Sequence, residues 1–486
     1  MFLKVLLCAS EVVPFAKTGG LADVAGALPK ALAALGHEVR VAMPRYEAID
    51  GGKFGLKPLG SVKVPLGGKP VTVGMEVSEA ISGVTTYFVG SSDYFQRKGL
   101  YGEPDDGERF GVFCRAVVEL LRRNEWKPQV IHANDWQTGL IPVYLKTNYV
   151  RDKAVAGIAT LYTVHNLAYQ GVFERGVMDT LGLERSLFTA EGLEFWGQVN
   201  FLKGGLIFAD LLNTVSPRYA KEMQTAEFGE RLEGVLQRRG EDLFGVLNGL
   251  DYEEWNPETD PLIAAQYGAS DLSGKADCKR AVQEQLGLPQ RPEVPLFGLV
   301  SRLAGQKGLD LLAEVFPHLL QLDAQFALLG TGEPYYHHLL SDLARHNPEK
   351  IGLVLGFDNA LAHQIYAGSD MFLMPSNYEP CGLGQMISLR YGTIPIVRET
   401  GGLADTVVEF NAQSGEGTGF LAKERSSVAV LGAIARALLT MQRRSQWSQL
   451  VRNAMECRFS WERSAKEYEK LYGMAMARRE QRRAPA

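Results

Sequence analysis

One hexapeptide occurs twice in this chain, as Thr18-Gly19-Gly20-Leu21-Ala22-Asp23 near the start and as Thr400-Gly401-Gly402-Leu403-Ala404-Asp405 near the end. Each copy follows an apolar run that reads as a buried strand (2–9; 393–397) and precedes a helical pattern (21–35; 403–410). Paired glycines let a strand-to-helix turn reach positive φ and leave no Cβ between backbone and ligand. The first N–H groups of the new helix then attract an anion, typically phosphate, and a charged partner there is worth roughly 0.3–1 kcal/mol. Lys17 adds a mobile positive charge to the first copy, whereas Glu399 precedes the second. A single copy could be only a tight turn. Two in matching surroundings point to two similar α/β halves.

The rest of the pattern agrees with that reading. Strands alternate with helices through the first half, interrupted at 60–90 by short alternating runs that read as a small hairpin set. A loop-rich, acidic stretch at 248–272 marks a domain boundary, and regular βα units follow. A last helix at 460–479 carries Trp461, Tyr468, Leu471 and Tyr472, and should dock on the first domain. Such alternation builds parallel sheets covered by helices, with ligands beyond the carboxyl ends of the strands.

Composition removes several classes of function. With 486 residues the chain holds two large domains or three smaller ones. A net charge of -5 offers no basic field for nucleic acid. Five scattered cysteines without a CxxC favour a reducing cytosol. No apolar run reaches the ~18 residues needed to span a bilayer, and the opening apolar run is too short for a signal peptide. Asp-x-Asp, HExxH, GxxxxGK[ST] and GxSxG are all missing, and no G-x-G-x-x-G follows the first strand.

Four further segments carry chemistry. Arg302 and Lys307 leave a strand end on a short loop, where a guanidinium fork and an ammonium suit a departing diphosphate. In 377–385, Glu379 could accept from sugar hydroxyls, and the N–H groups of Leu383 and Gly384 could meet phosphate at a helix start. Cys381 shares that start, which favours its thiolate. His165 could donate to a sugar hydroxyl or be a satisfied core histidine. Asp135 and Trp136 set a carboxylate beside an aromatic face, suited to sugars but equally to a helix cap against the core. Asp23, in the first turn of its helix, could serve a ligand or only the dipole.

Residues 17–24, 132–136, 163–171, 246–251, 301–308, 378–384 and 400–405, in that order, together resemble the bacterial glycogen synthase and plant starch synthase family. The resemblance implies the GT-B fold, an α/β class with two Rossmann-like domains, parallel sheets facing across a deep cleft, and a C-terminal helix crossing back to the N-terminal domain. It implies an N-terminal acceptor-side domain at 1–250, a nucleotide-sugar domain with linker at 251–459, and the crossing helix at 460–486. The implied reaction is transfer of glucose from ADP-glucose to the non-reducing end of an α-1,4-glucan such as glycogen, with retention. The resemblance further implies that no metal or pyridoxal phosphate cofactor, nucleic acid or membrane takes part. The implied compartment is the cytoplasm, or a plastid for a plant source.

Residue by residue, Lys17 resembles the lysine that meets the donor and Arg302 with Lys307 the diphosphate clamp. Glu379 resembles the carboxylate on the glucose hydroxyls, and His165 the histidine at the anomeric centre. The nucleotide-sugar site would further include Gly19, Gly20, Asp23, Asn248, Phe357, Tyr378, Cys381, Gly382, Leu383, Gly384 and Thr400. The acceptor side would include Asp135, Trp136 and Asn166. Phe357 stands where the family often has tyrosine near the adenine. Ile387 stands where related transferases carry a second glutamate. Other expectations are a GT-B relative using a UDP-sugar or forming sucrose, and a catalytically silent glucan-binding protein.

Overall fold

A computed structural model describes residues 2–90 and 92–483. The chain divides into two units. The first joins the residues up to Gly249 with those from Trp461 onward, and the second is Leu250–Ser460.

The first unit is built on a nine-stranded sheet. In spatial order its strands are Leu243–Gly245, Leu211–Thr214, Ala159–Val164, Val130–Asn134, Lys4–Cys8, Glu38–Pro44, Val84–Gly90, Val71–Ile81 and Lys57–Val64. The first seven run parallel, and their central members are largely apolar and buried on both faces. The run at 60–90 is not a separate hairpin set. Val84–Gly90 pairs in parallel with Glu38–Pro44, so the meander extends the main sheet. Residues 71–81, read as part of those short runs, form one strand, because Gly74 sits in the ladder without turning it.

The terminal helix Trp461–Arg483 packs on this same unit. It lays Trp461, Ala465, Tyr468, Leu471, Tyr472 and Ala475 into the core. Tyr472 Oη lies 3.0 Å from His132 Nδ1, and Asn213 Nδ2 donates to Tyr468 Oη at 3.1 Å. The expected range for this helix reaches 486, and 484–486 lie outside the described residues.

The second unit has its own core and a six-stranded parallel sheet. The order is Ile351–Leu355, Gln325–Gly332, Leu296–Leu303, Met371–Met374, Ile394–Arg398 and Phe420–Ala422. The strand at 420–422 and the helix Ser273–Gln285 escaped the pattern reading: the strand is only three residues long, and the helix is short of apolar positions. The helix expected at 403–410 ends at Thr406, after which the chain bridges to Gly419 as extended backbone.

In both sheets the chain leaves the centre in one direction, then returns to build the other side. The reversal falls between Lys4–Cys8 and Val130–Asn134 in the first unit, and between Leu296–Leu303 and Met371–Met374 in the second. Sheets of this type hold ligands outside the strand ends at such a reversal.

Candidate functional site

In the first unit the residues following adjacent parallel strands gather at one edge. Glu11 follows Lys4–Cys8, Asp135 follows Val130–Asn134, and His165 follows Ala159–Val164. Asn248 follows Leu243–Gly245; it is buried, and its Oδ1 meets no donor among the described residues.

The first Thr-Gly-Gly loop differs from its sequence reading. Neither Gly19 nor Gly20 takes positive φ, and a Cβ on either would meet nothing within 4 Å. Here the glycines leave space. The N–H groups of Thr18 and Gly19 are not open to an outside anion, because both donate to the buried Glu11 carboxylate. Lys17 is held by an ion pair to Asp23 Oδ1 at 2.7 Å.

Asp135 adopts φ 56°, a left-handed region costly for a residue with a Cβ. Its N–H donates to Thr163 O at 2.9 Å, and its Oδ1 accepts from His165 N–H at 2.7 Å. Burial pushes its carboxyl up to about 7, against the N–H of His165 and with help from the charge of Glu11. Burial pushes His165 down to about 3, so it is neutral at physiological pH.

His165 Nε2 lies 2.9 Å from Asn134 Oδ1. Asn134 Nδ2 donates to Cys8 O and His132 O, which orients its oxygen toward the ring. Nε2 therefore carries the proton, and Nδ1 is left as an acceptor. The ring offers an acceptor where the sequence reading has a donor.

Trp136 is mostly core. It packs edge-on against Phe110 and tilted against Phe173, and Gly171, at φ 61°, has no room for a Cβ beside its indole. Its remaining surface lines a cavity of about 680 Å³ together with Asp106, Tyr169, Gln170, Phe173 and Arg231. Aromatic faces interleaved with carboxylate, amide and guanidinium suit a sugar. Asn166 lies beside this wall, with its Oδ1 accepting from Ala168 N–H at 3.0 Å.

In the second unit the reversal point carries the cations. Lys307 follows one central strand, Glu379 the other, and Lys307 Nζ meets Glu379 Oε2 at 2.6 Å. Ser376 Oγ donates to the same oxygen at 3.0 Å. Gly308, at φ 70°, allows this approach: a Cβ there would lie 2.0 Å from Pro375 O. Arg302 is exposed, and among the described residues its guanidinium meets one acceptor, Gln306 Oε1 at 3.0 Å. Gln306 O accepts from Asn377 N–H, and its Nε2 reaches Tyr378 O at 3.4 Å.

The second Thr-Gly-Gly copy braces this segment. Gly402 N–H donates to Glu379 O at 3.0 Å. A Cβ on Gly401, at φ 44°, would stand 2.0 Å from Glu379 O, and one on Gly402 2.0 Å from Cys381 O. Thr400 is fully buried, and its carbonyl accepts from Leu403 and Ala404 N–H. This copy therefore shapes the Glu379 loop.

Cys381 is buried, Gly382 takes φ 74°, and Leu383 and Gly384 begin the helix Gly384–Arg390. Phe357 is 87% exposed on the loop after Ile351–Leu355. The structure adds Glu11, Ser376, Gln306 and Arg398 to the sequence candidates. Arg398 is buried, and its Nε donates to Ser376 O at 2.8 Å. An acid directly after a buried strand was the readable sign of Glu11. Gln306 lay inside a segment already marked, and nothing local distinguished Arg398.

A parallel sheet with polar residues gathered at its reversal point, built twice in one chain, is the architecture of a GT-B glycosyltransferase. Residues 4–238 match the family described as starch synthase catalytic domain, and residues 282–454 match glycosyl transferases group 1. The glycogen synthase of Desulforudis audaxviator is 49% identical over 98% of this chain and 97% of its own length. Glycogen synthase 1 of Geobacter metallireducens is 50% identical with the same coverage. The catalytic domain of starch synthase IV from Arabidopsis thaliana, solved bound to ADP and acarbose, superposes with a TM-score of 0.91 at 36% identity, covering 98% of this chain and 100% of that one. The chain belongs to the glycogen synthase and starch synthase family of glycosyltransferases.

Proposed function

We propose that the protein transfers glucose from ADP-glucose to the non-reducing end of an α-1,4-glucan, with retention, without a metal or pyridoxal phosphate, and in the cytoplasm. The observation that carries this reading is the Lys307–Glu379 pair at the second unit's reversal point, with Arg302 exposed beside it. Diphosphate charge rises as the C1–O bond breaks. Fixed cations that need no rearrangement stabilise that charge, and losing one such contact costs about two to three decades in rate. Lys17 meets the donor, and Phe357 offers a face for the adenine. Glu379 Oε1 is directed to the glucose hydroxyls.

The acceptor hydroxyl forms the new bond to C1 from the face the phosphate leaves, and its proton passes to the leaving phosphate oxygen. Neutral His165, an acceptor at Nδ1, orients a sugar hydroxyl. The cavity beside Trp136 holds the glucan. The starch synthase IV relative, bound to ADP and acarbose, supports a nucleotide and a glucan-like ligand in this fold.

The test is labelled-glucose incorporation into glycogen, with ADP-glucose and UDP-glucose side by side and EDTA present. The expected result is incorporation from ADP-glucose undiminished by EDTA. A preference for UDP-glucose would overturn the donor, loss with EDTA the metal independence, and glycogen binding without turnover the catalytic reading.

A further inference from the structure

We propose that Glu11 is a positioning residue that sets the Lys17 loop, and that Tyr101 ties this loop to the wall of the cavity beside Trp136. The inference rests on the reading of Lys17 as a donor-binding residue.

The Glu11 side chain is 5% exposed yet accepts from four donors. Thr18 N–H and Gly19 N–H reach Oε2, the latter at 3.0 Å; Thr18 Oγ1 and Tyr101 Oη donate to Oε1, each at 2.7 Å. Ser10 Oγ lies 2.7 Å from the Tyr101 oxygen and supplies its hydrogen there. From Tyr101 the chain enters the cavity wall directly: Gly102 N–H donates to Asp106 Oδ2 at 2.8 Å, and both residues line the cavity.

The start of the loop is closed by Val12 N–H to Ala16 O and Val13 N–H to Ala22 O, and the Lys17 ammonium rests on Asp23, but the Thr18 and Gly19 N–H groups are held by Glu11. A Cβ on Gly19 or Gly20 would meet nothing within 4 Å among the described residues, and glycine samples more backbone conformations than any other residue. A carboxylate can accept all four hydrogen bonds. An amide accepts only through its one oxygen and turns an NH₂ toward the remaining donors. Glu11 thus fills, from within the fold, the anion position that the glycine loop creates. Lys17, one residue before Thr18, takes its backbone position from it, while the ammonium rests on Asp23.

The test is a double-mutant cycle in the full chain, read by kcat and KM for ADP-glucose on glycogen. Glu11→Gln should lower kcat/KM for ADP-glucose about 10- to 100-fold, as expected for a lost charged hydrogen bond, with the glycogen KM changed by no more than about twofold. Tyr101→Phe should act in the same direction by about three- to tenfold. In a Lys17→Ala background the Glu11→Gln effect should shrink to about threefold or less, because there is no longer a lysine to aim.

Undiminished loss in that background would overturn the inference, since Glu11 would then act on the fold generally. So would wild-type kinetics in Glu11→Gln with Lys17→Ala impaired. An unimpaired Lys17→Ala enzyme would overturn the donor reading of the loop, and this inference with it. Tyr101→Phe, which removes a single hydroxyl, keeps the comparison available should Glu11→Gln fail to fold.

Discussion

Asp135 and His165 follow two adjacent strands and His132 lies within one of them, and burial drives the acid and the two histidines in opposite directions. Asp135 is pushed up to about 7, while His132 and His165 are pushed down to about 3. Between roughly pH 4 and 6.5 the unfolded chain binds two protons at the histidines that the folded chain refuses, and the folded chain keeps one at Asp135 that the unfolded chain releases. The net excess of one proton on the unfolded side makes stability fall on acidification, by about 1.4 kcal/mol per pH unit from these groups. Asp135→Asn removes the opposing proton. Its stability should therefore fall about 1.4 kcal/mol per unit more steeply than that of the wild type between pH 6.5 and 4. Urea midpoints at pH 7, 6 and 5 measure this, and parallel curves would mean that Asp135 titrates as an ordinary carboxylate.

The two hexapeptides are identical as sequence and different as elements. In the second copy a Cβ on Gly401 would collide with Glu379 O, and its φ is positive; in the first, Gly19 faces open space at φ -150°. Gly401→Ala should therefore cost about 1–3 kcal/mol of stability and displace the Glu379 loop. Gly19→Ala should leave the stability of the free protein within about 0.5 kcal/mol. Urea denaturation of the two variants in parallel decides it; equal losses would mean the copies are equivalent. Sequence could not show this division. What fills each loop lies outside the hexapeptide itself: Glu11, seven residues before Thr18, accepts the first copy's N–H groups, and the Glu379–Cys381 backbone abuts the second. The parallel strands were legible because each is a short, largely apolar run bounded by turn residues. So were the cations at 302 and 307, because one stands at the end of a strand and the other in the short turn that follows it. The joining of the 57–90 meander to the main sheet was not, since a parallel pairing with 38–44 leaves no local mark.

At the scale of the whole molecule the second unit is an insertion into the first. Its ends meet: Leu250 N–H donates to Phe459 O at 2.6 Å, and Phe459 N–H to Tyr252 Oη at 2.7 Å. Cutting at 250 and 460 therefore leaves its core intact with both termini together. The first unit has no such independence, because its last helix is supplied from the far end of the chain. Fully burying a side chain of the size of Trp461, Tyr468, Leu471 or Tyr472 contributes about 1.5–3 kcal/mol, so the four contribute on the order of 6–12 kcal/mol. That matches the whole stability of a typical domain, about 5–15 kcal/mol. The helix also supplies Tyr472 to His132, Tyr468 to Asn213, and Ser464 to Leu247 O at 2.7 Å, whose polar groups would otherwise be stranded. A chain ending at residue 460 should consequently keep one cooperative unfolding transition, that of residues 250–460, and lose the other. Hydrogen exchange should find the strands Lys4–Cys8 and Val130–Asn134 unprotected in that chain and protected in the full one. A separate fragment of residues 250–460 should unfold with the same midpoint as the surviving transition. Protection of the first sheet in the truncated chain would show that its core closes without the terminal helix, and that the far end of the sequence is dispensable to the unit on which it packs.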